Sequence, residues 1–146
     1  MDPFRPSQGY RQLDHTADLA IEFWAPSEEG LLVVGGLALV ELMTDEYEAD
    51  PDAETAAEHN VKIDAVDAAD RLVRFLNEVL VAAVTDRFLL ASADVKLSGE
   101  GGLHAAMRGE VVTPETLVTE LESVTYHDLE LTHHDYGWYA RVVIDV

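Results

Sequence analysis

Residues 67–83 read DAADRLVRFLNEVLVAA, and this stretch carries the clearest helical pattern in the chain. Its large apolar residues recur every three or four positions, so they share one face of a helix. Asp67 can accept a hydrogen bond from the first turn, and Asp70 follows three residues later, as in a capping box. The polar residues of the opposite face are Arg71, Arg74 and Glu78. The pattern predicts an amphipathic helix whose apolar face covers a sheet.

A second helix is predicted over residues 28–43. Ser27 is a good N-cap, and Glu28 and Glu29 favour the positive end of a helix dipole. This segment is apolar on nearly all sides, and each residue of its Gly35-Gly36 pair costs about 1 kcal/mol relative to Ala. The helix therefore requires a very close approach to a sheet at this point, or it does not form.

Most of the remaining chain has the pattern of strands. Alternating or continuous apolar runs predict strands at 10–13, 19–24, 61–66, 89–97, 103–112, 117–131 and 138–146. Turn-forming residues separate the later strands, at 98–102 and at 133–137. Two helices and a majority of strands predict an α+β fold, with both helices packed on a largely antiparallel or mixed sheet.

The 146-residue length fits a single domain. Residues 1–9 form a polar lead, residues 10–146 form the domain, and residues 45–58 are predicted to be a solvated acidic loop because acidic residues dominate them. The longest apolar run, 31–40, is about half of the ~20 residues that a bilayer requires. No membrane span is expected.

The charge of the chain excludes one class of function. There are 29 Asp and Glu against 9 Lys and Arg, which gives a formal net charge of -20. The few basic residues are scattered, whereas a protein that neutralises phosphates needs a basic stripe. Direct nucleic-acid binding is therefore not expected. The absence of cysteine agrees with a cytoplasmic location.

Two groups of carboxylates could bind a metal ion. Asp14, His15 and Asp18 fall within five residues between two predicted strands, where they form either a capped turn or a cation site. At the other end of the chain, an apolar strand runs into Asp145 and Val146. Their oxygens would suit Ca²⁺, Mg²⁺ or Mn²⁺. The alternative is that these two residues are only the exposed end of an edge strand. If Asp18 and Asp145 meet across adjacent strands, a metal site becomes the better interpretation.

Several motifs together resemble the archease family. They run in order from residue 10 to residue 146, over nearly the whole chain. They are the Leu13 to Asp18 segment LDHTAD followed by a strand, ALVELMTD at 38–45, FLNE at 75–78, Gly109-Glu110, VTYH at 124–127 and the closing VIDV at 143–146. The first and last of these are fairly specific when they occur together.

The resemblance implies a small cytosolic α+β protein that is not itself an enzyme. Archeases act as protein cofactors of RtcB-type RNA ligases, promoting GTP-dependent guanylylation and multiple turnover in tRNA splicing and RNA repair. Members have also been described as chaperones of a tRNA methyltransferase. The family's metal ligands correspond here to Asp18, Asp145 and Val146, the last through a main-chain or carboxylate oxygen, and the expected ion is Ca²⁺, with Mg²⁺ or Mn²⁺ as alternatives.

One position departs from the family pattern. Archeases usually have Lys two residues before the Val-Thr-Tyr segment, and this chain has Glu122 there. This reverses the charge and predicts a divergent member whose activation of a partner is altered.

Two further interpretations remain open at this stage. One is a metal-dependent hydrolase that uses Asp14, His15, Asp18 and Asp145, with His127 as acid or base. The other is a chaperone or docking module with a purely structural metal. A hydrolase acting on phosphate substrates would require a cluster of Arg or Lys, which the sequence does not show.

The high negative charge predicts adaptation to a salt-rich cytoplasm. At 1 M salt the Debye length is about 3 Å, which screens repulsion between carboxylates. We therefore expect the melting temperature to rise between dilute buffer and molar KCl, as measured by circular dichroism. A melting temperature that stays constant or falls over that range would contradict salt adaptation.

Overall fold

The computed structural model describes residues 7–13, 18–50 and 52–146. Its strands are β1 (Gly9–Leu13), β2 (Leu19–Ala25), β3 (Ala56–Asp64), β4 (Phe88–Ser98), β5 (Gly102–Val111), β6 (Ser123–His134) and β7 (Gly137–Asp145). Its helices are α1 (Glu28–Met43) and α2 (Ala68–Asp86), and a short 3-10 turn lies at Pro114–Thr116.

The strands form two sheets around one shared core. The first sheet has the order β1-β2-β7-β6, and the second has the order β3-β5-β4. Every pairing between the described strands is antiparallel. The α+β class predicted from the sequence is confirmed, and the helices pack on two antiparallel sheets instead of one. Neither α1 nor α2, the two long helices of the described residues, is long and apolar enough to cross a membrane.

Helix α1 has the predicted bounds and the predicted cap. The Gly30 N–H donates to the Ser27 Oγ at 3.0 Å, so the hydroxyl satisfies one of the free amides of the first turn. At the other end Thr44 closes the helix by donating its hydroxyl to the Val40 carbonyl at 2.8 Å. The helix is buried along most of its length because it contacts strands of both sheets.

The two glycines of α1 permit this close packing. A Cβ at Gly35 would lie 2.7 Å from the Phe23 ring of β2 and 3.0 Å from a methyl of Leu76 in α2. A Cβ at Gly36 would lie 2.7 Å from a methyl of Leu90 in β4. The close approach that the sequence required of this helix is therefore present.

Helix α2 begins with the predicted capping box. Asp67 accepts from the Asp70 N–H at 2.8 Å, and the Asp70 carboxylate accepts from the Val66 N–H at 3.1 Å. The predicted apolar face is buried. The position of Arg71 was predicted wrongly, because its side chain is buried instead of facing solvent.

Arg71 is buried because its partners form a polar pocket around it. Its guanidinium makes two 2.9 Å hydrogen bonds to the Glu28 carboxylate at the start of α1. It also donates to the Gly102 carbonyl at 2.9 Å, at the turn between β4 and β5. The ion pair and the bond to Gly102 therefore connect the starts of both helices to the second sheet. The apolar repeat of a helix gives no information about such a contact.

Strand β2 is buried on both faces, although its sequence alternates. Glu22 lies on the second face with 6% of its surface exposed. Its carboxylate pairs with Arg11 of β1 and accepts a 2.7 Å hydrogen bond from the Tyr139 hydroxyl of β7. Burial and this bond raise the pKa of Tyr139 to about 12. The buried acid is therefore compensated by neighbours on both adjacent strands.

Several predicted boundaries were wrong. Strand β3 begins at Ala56, so the last three residues of the predicted acidic loop 45–58 belong to a strand. The predicted strand 117–131 begins only at Ser123, because an irregular segment follows the 3-10 turn. In this segment the Val118 N–H donates to the Met43 carbonyl at 2.8 Å. The predicted turn 133–137 is shorter, since β6 continues to His134.

The glycine packing predicts how α1 responds to small substitutions. We expect Gly35→Ala to lower the free energy of unfolding by about 1–2 kcal/mol, because overpacking against the Phe23 ring outweighs the ~1 kcal/mol gain in helix propensity. Gly36→Ala should cost less, since its methyl would meet the flexible end of Leu90 at 2.7 Å and its next neighbour, a Val79 methyl, lies at an ordinary 3.4 Å. Urea unfolding in molar KCl measures both, and an equal or larger loss for Gly36→Ala would contradict this packing.

Candidate functional site

Strands β2 and β7 bring the two residues that were predicted to bind a metal ion, Asp18 and Asp145, to the same end of the sheet. Leu19 of β2 pairs with Ile144 of β7 in an antiparallel ladder. Asp18 comes just before Leu19, and Asp145 comes just after Ile144. The register therefore places residues 18 and 145 alongside each other at one end of the first sheet. Both residues are half-buried, so their carboxylates border the sheet without being sealed inside it.

The remaining candidate ligands are less closely defined. Asp14 and His15 lie outside the described residues. Val146 follows Asp145 directly and is 54% exposed. Among residues 7–13, 18–50 and 52–146, no three His, Asp or Glu side chains are grouped so that they could hold a metal ion. Asp18 and Asp145 therefore need a further oxygen donor, and a main-chain oxygen of Val146 would suit a hard cation such as Ca²⁺.

The start of β6 lies next to Asp145, on the opposite side of β7 from β2. Ser123 pairs with Asp145, and the Glu122 N–H donates to the Asp145 carbonyl at 2.9 Å. Glu122 therefore borders the candidate metal site through its backbone. Glu122 is exposed, so its side chain is accessible to a partner.

Asn77 of α2 anchors this part of β6. Its amide nitrogen donates to the Val124 carbonyl at 3.0 Å, and its amide oxygen accepts from the Val124 N–H at 2.8 Å. One side chain thus satisfies both backbone groups of a strand residue, as a neighbouring strand would. The contact fixes β6 against α2 one residue away from Ser123, the partner of Asp145.

Beyond this anchor, β6 departs from regular pairing. The β6–β7 ladder breaks after Thr125, which pairs with Val143, and resumes at Glu130. Residues 126–129 lie between these pairs and form a wide bulge. Asp128 within it has a φ of 51°, in the left-handed region that Asp tolerates better than most residues. The bulge turns Tyr126 and His127, the last two residues of the VTYH motif, away from the positions that a continuous strand would give them.

Within the bulge, Tyr126 reaches back to α2. Its hydroxyl lies 2.5 Å from the Asp70 Oδ1, and Arg74 donates to the same oxygen at 3.2 Å. The Tyr126 hydrogen bond, followed by the bond from the Val66 amide, holds the pKa of Asp70 below its ordinary value. The pKa of Tyr126 is raised, chiefly by its hydrogen bond to Asp70. The carboxylate that begins α2 therefore also positions the bulge.

His127 was predicted as the acid or base of a hydrolase. The structure places its ring on the exposed side of the bulge, with Nε2 3.3 Å from a carboxylate oxygen of Asp128. It belongs to no metal-binding group among the described residues. Asp14 and His15, which the hydrolase interpretation also requires, lie outside the described residues, so that interpretation stays a prediction.

Asn77 and Tyr126 were not identified as site-building residues from the sequence. An amide inside an otherwise apolar helix face is a signal for Asn77, because a polar group placed there must find a partner. Tyr126 has no such signal, since its contact depends on a bulge that no local pattern predicts.

The chain matches the Archease protein family (MTH1598/TM1083) over residues 10–146. It is 31% identical to a protein archease of Methanopyrus kandleri over 142 residues, which cover 94% of this chain and 99% of that protein. A protein archease of Methanosarcina barkeri is 32% identical, with coverage of 96% and 99%. The protein therefore belongs to the archease family.

Two solved structures have the same fold. The solution structure of Methanobacterium thermoautotrophicum protein 1598 matches with a TM-score of 0.73 and 26% identity, and covers 94% of this chain and 99% of that one. The crystal structure of an archease, possible chaperone, from Thermotoga maritima matches with a TM-score of 0.63 at 19% identity, with coverage of 93% and 96%. The second likeness concerns the fold alone.

The Tyr126 contact predicts a change in the titration of Asp70. An unfolded Asp titrates near pH 3.9, and the folded pKa of Asp70 is lower, so its stabilising contribution is complete above about pH 4 and is lost as pH falls through the folded pKa. We expect Tyr126→Phe to raise the pKa of Asp70, because the strongest hydrogen bond to its charged form is removed. NMR titration of the Asp70 carboxyl carbon tests this, and an unchanged midpoint would contradict the contact.

Proposed function

We propose that this protein is a non-catalytic accessory protein that promotes guanylylation and turnover of an RtcB-type RNA ligase in the cytoplasm. The observation that carries the proposal is the register of β2 and β7, which brings Asp18 alongside Asp145 at positions where the resemblance implies ligands. Membership of the archease family supports a protein partner, and the family resemblance implies that this partner is an RtcB-type ligase. In this role the protein contacts the ligase and does not itself bind RNA, in keeping with its net charge of -20.

A metal ion would be held by Asp18, Asp145 and a main-chain or carboxylate oxygen of Val146. These are hard oxygen donors, and they fit Ca²⁺ better than zinc, with Mg²⁺ or Mn²⁺ as alternatives. When bound, the ion would neutralise carboxylates that otherwise repel each other. The protein's own part is structural: the β2–β7 ladder sets the two carboxylates side by side, and the Glu122 amide holds the Asp145 backbone.

Glu122 would alter how such a surface meets its partner. Its backbone lies beside Asp145, and its exposed side chain carries negative charge where the family usually has Lys. If the family's Lys approaches a nucleotide or the guanylylation site of the ligase, Glu122 would repel that group here. We therefore expect Glu122→Lys to increase stimulation of a ligase whose docking surface suits the usual family residue.

A chaperone role is the second candidate, because the Thermotoga maritima protein of this fold is described as a possible chaperone. In that role the protein would stabilise a tRNA-modifying enzyme, and its metal would be structural. The two roles differ in outcome: a chaperone protects its client from aggregation without changing the guanylylation rate.

The decisive assay follows guanylylated ligase with GTP and Mn²⁺, with and without this protein. We expect stimulation by the native chain and its loss in Asp18→Asn and Asp145→Asn, which should also weaken Ca²⁺ binding at least about tenfold in a calorimetric titration. Asp94→Asn is the matched control, because Asp94 is an exposed strand carboxylate in the other sheet.

Three results would count against the proposal. Absence of calorimetric binding with millimolar Ca²⁺ or Mn²⁺ would remove the metal site. Failure of both the native chain and Glu122→Lys to stimulate the ligase would remove the accessory role. Hydrolysis of phosphodiesters by the purified protein alone would favour the hydrolase interpretation.

A further inference from the structure

An apolar groove lies at the far end of the two helices from Arg71. It has a volume of about 270 Å³ and is lined by Met43 at the end of α1, by Val84 in the last turn of α2, and by residues 117–121. Val84 is 56% exposed and Val118 is 59% exposed, so both present apolar surface to solvent. Val81 lies one helical turn before Val84 and is 53% exposed. Together they form a continuous apolar strip beside the groove.

The groove is small and open along one side. Pockets for small molecules usually have volumes of about 300–1,000 Å³ and enclose most of the ligand, whereas this groove is smaller and open along one side. At protein interfaces a few anchoring side chains that fill pockets of the partner carry most of the binding energy. An amphipathic helix that lays its apolar face on such a strip is a common form of recognition.

The two helices run parallel, and their negative ends meet at this groove. Glu28 and Arg71 join the starts of the helices, while Met43 and Val84 line the groove at their ends. The carboxyl end of a helix carries about half a negative charge, and basic residues commonly compensate it. Neither helix has a basic residue in its last turn. The groove is therefore bordered by two helix dipoles of the same sign.

Carboxylates add to this negative field. Glu120 lines the groove, and the last turns of the helices contain Glu41 and Asp86. Arg87, the C-cap residue of α2, supplies one positive charge against these three carboxylates, and it also contributes to the lowered pKa of Glu115, after that group's own backbone amide and the Thr113 hydroxyl. The surroundings of the apolar strip thus favour cations.

We propose that this groove is a docking site for an amphipathic helix of a partner protein, with an apolar face flanked by Lys or Arg. The apolar face would cover the strip formed by Val81, Val84 and Val118, and the basic residues would face Glu120 and the helix ends. A second copy of this chain is a poor occupant, because its own charge of -20 would be brought against the same acidic rim. The groove lining ends at Leu121, one residue before Glu122, and it includes neither Asp18 nor Asp145, so docking there needs no metal.

The test uses three synthetic helical peptides of equal length. The first has Leu on one face and Lys elsewhere, the second replaces each Lys by Glu, and the third has the composition of the first with its Leu residues spread around the helix. Binding is measured by fluorescence anisotropy with a chelator present, at the lowest KCl concentration at which circular dichroism shows a folded protein. We expect only the first peptide to bind, because it alone combines the apolar face with positive charge.

Surface variants locate the binding. The double variant Val84→Ser/Val118→Ser should weaken binding of the first peptide about tenfold, because two exposed apolar side chains are lost. The control Val66→Ser/Val111→Ser removes two exposed valines outside the groove lining and should leave binding within about twofold. Glu120→Gln should weaken binding more than Glu100→Gln, an exposed carboxylate in the β4–β5 turn.

Each alternative outcome would overturn the proposal in a different way. Equal binding of the Glu peptide would exclude a cationic partner, and equal binding of the third peptide would show attraction by charge alone. No binding of the first peptide, or unchanged binding in the Val84→Ser/Val118→Ser variant, would remove the groove as the site. Dimerisation in sedimentation that this variant abolishes would make a second copy the occupant. None of these outcomes depends on the ligase assay, so the two proposals fail separately.

Discussion

The close packing of α1 at Gly35 and Gly36 is the constraint on which the rest of the structure depends. A helix that is apolar on nearly every side must be covered on every side, and here a ring from β2, a methyl from α2 and a methyl from β4 meet it at two adjacent residues. Any larger side chain would push these elements apart. Because β2 belongs to one sheet and β4 to the other, the spacing at these glycines sets how both sheets share a core.

The sequence predicted the elements whose signals are local. The bounds of α1 followed from Ser27 and its acidic first turn, and α2 followed from its Asp67 cap and its apolar repeat. The division of the strands into two sheets was beyond such signals, since pairing partners are chosen by packing between distant segments. The irregular start of the 117–131 segment had a similar cause, because the carbonyl of Met43 at the end of α1 accepts its amides.

The candidate site divides in the same way. The chemistry of Asp18 and Asp145 could be predicted from residue type and from the family resemblance, and the β2–β7 register then showed that they lie side by side. The contacts that hold the neighbouring part of β6 depend on the tertiary fold. Asn77 bonds the β6 backbone in place of a strand partner, and Tyr126 reaches Asp70 only because β6 has a bulge. Most of the acidic residues have no part in this arrangement. The net charge of -20 therefore says little about where the carboxylates of the candidate site lie.

The order of strands in the first sheet has a consequence for synthesis of the protein. Strand β7 lies between β2 and β6, and Leu19 finds its partner only when Ile144 has left the ribosome. The second sheet uses strands that are close together in the chain, so it can form earlier. The edge of β2 that pairs with β7 stays unpaired until β7 has been synthesised. Asp18 and Asp145 meet in this last pairing. A nascent or truncated chain therefore lacks the candidate site even when half of its fold is complete.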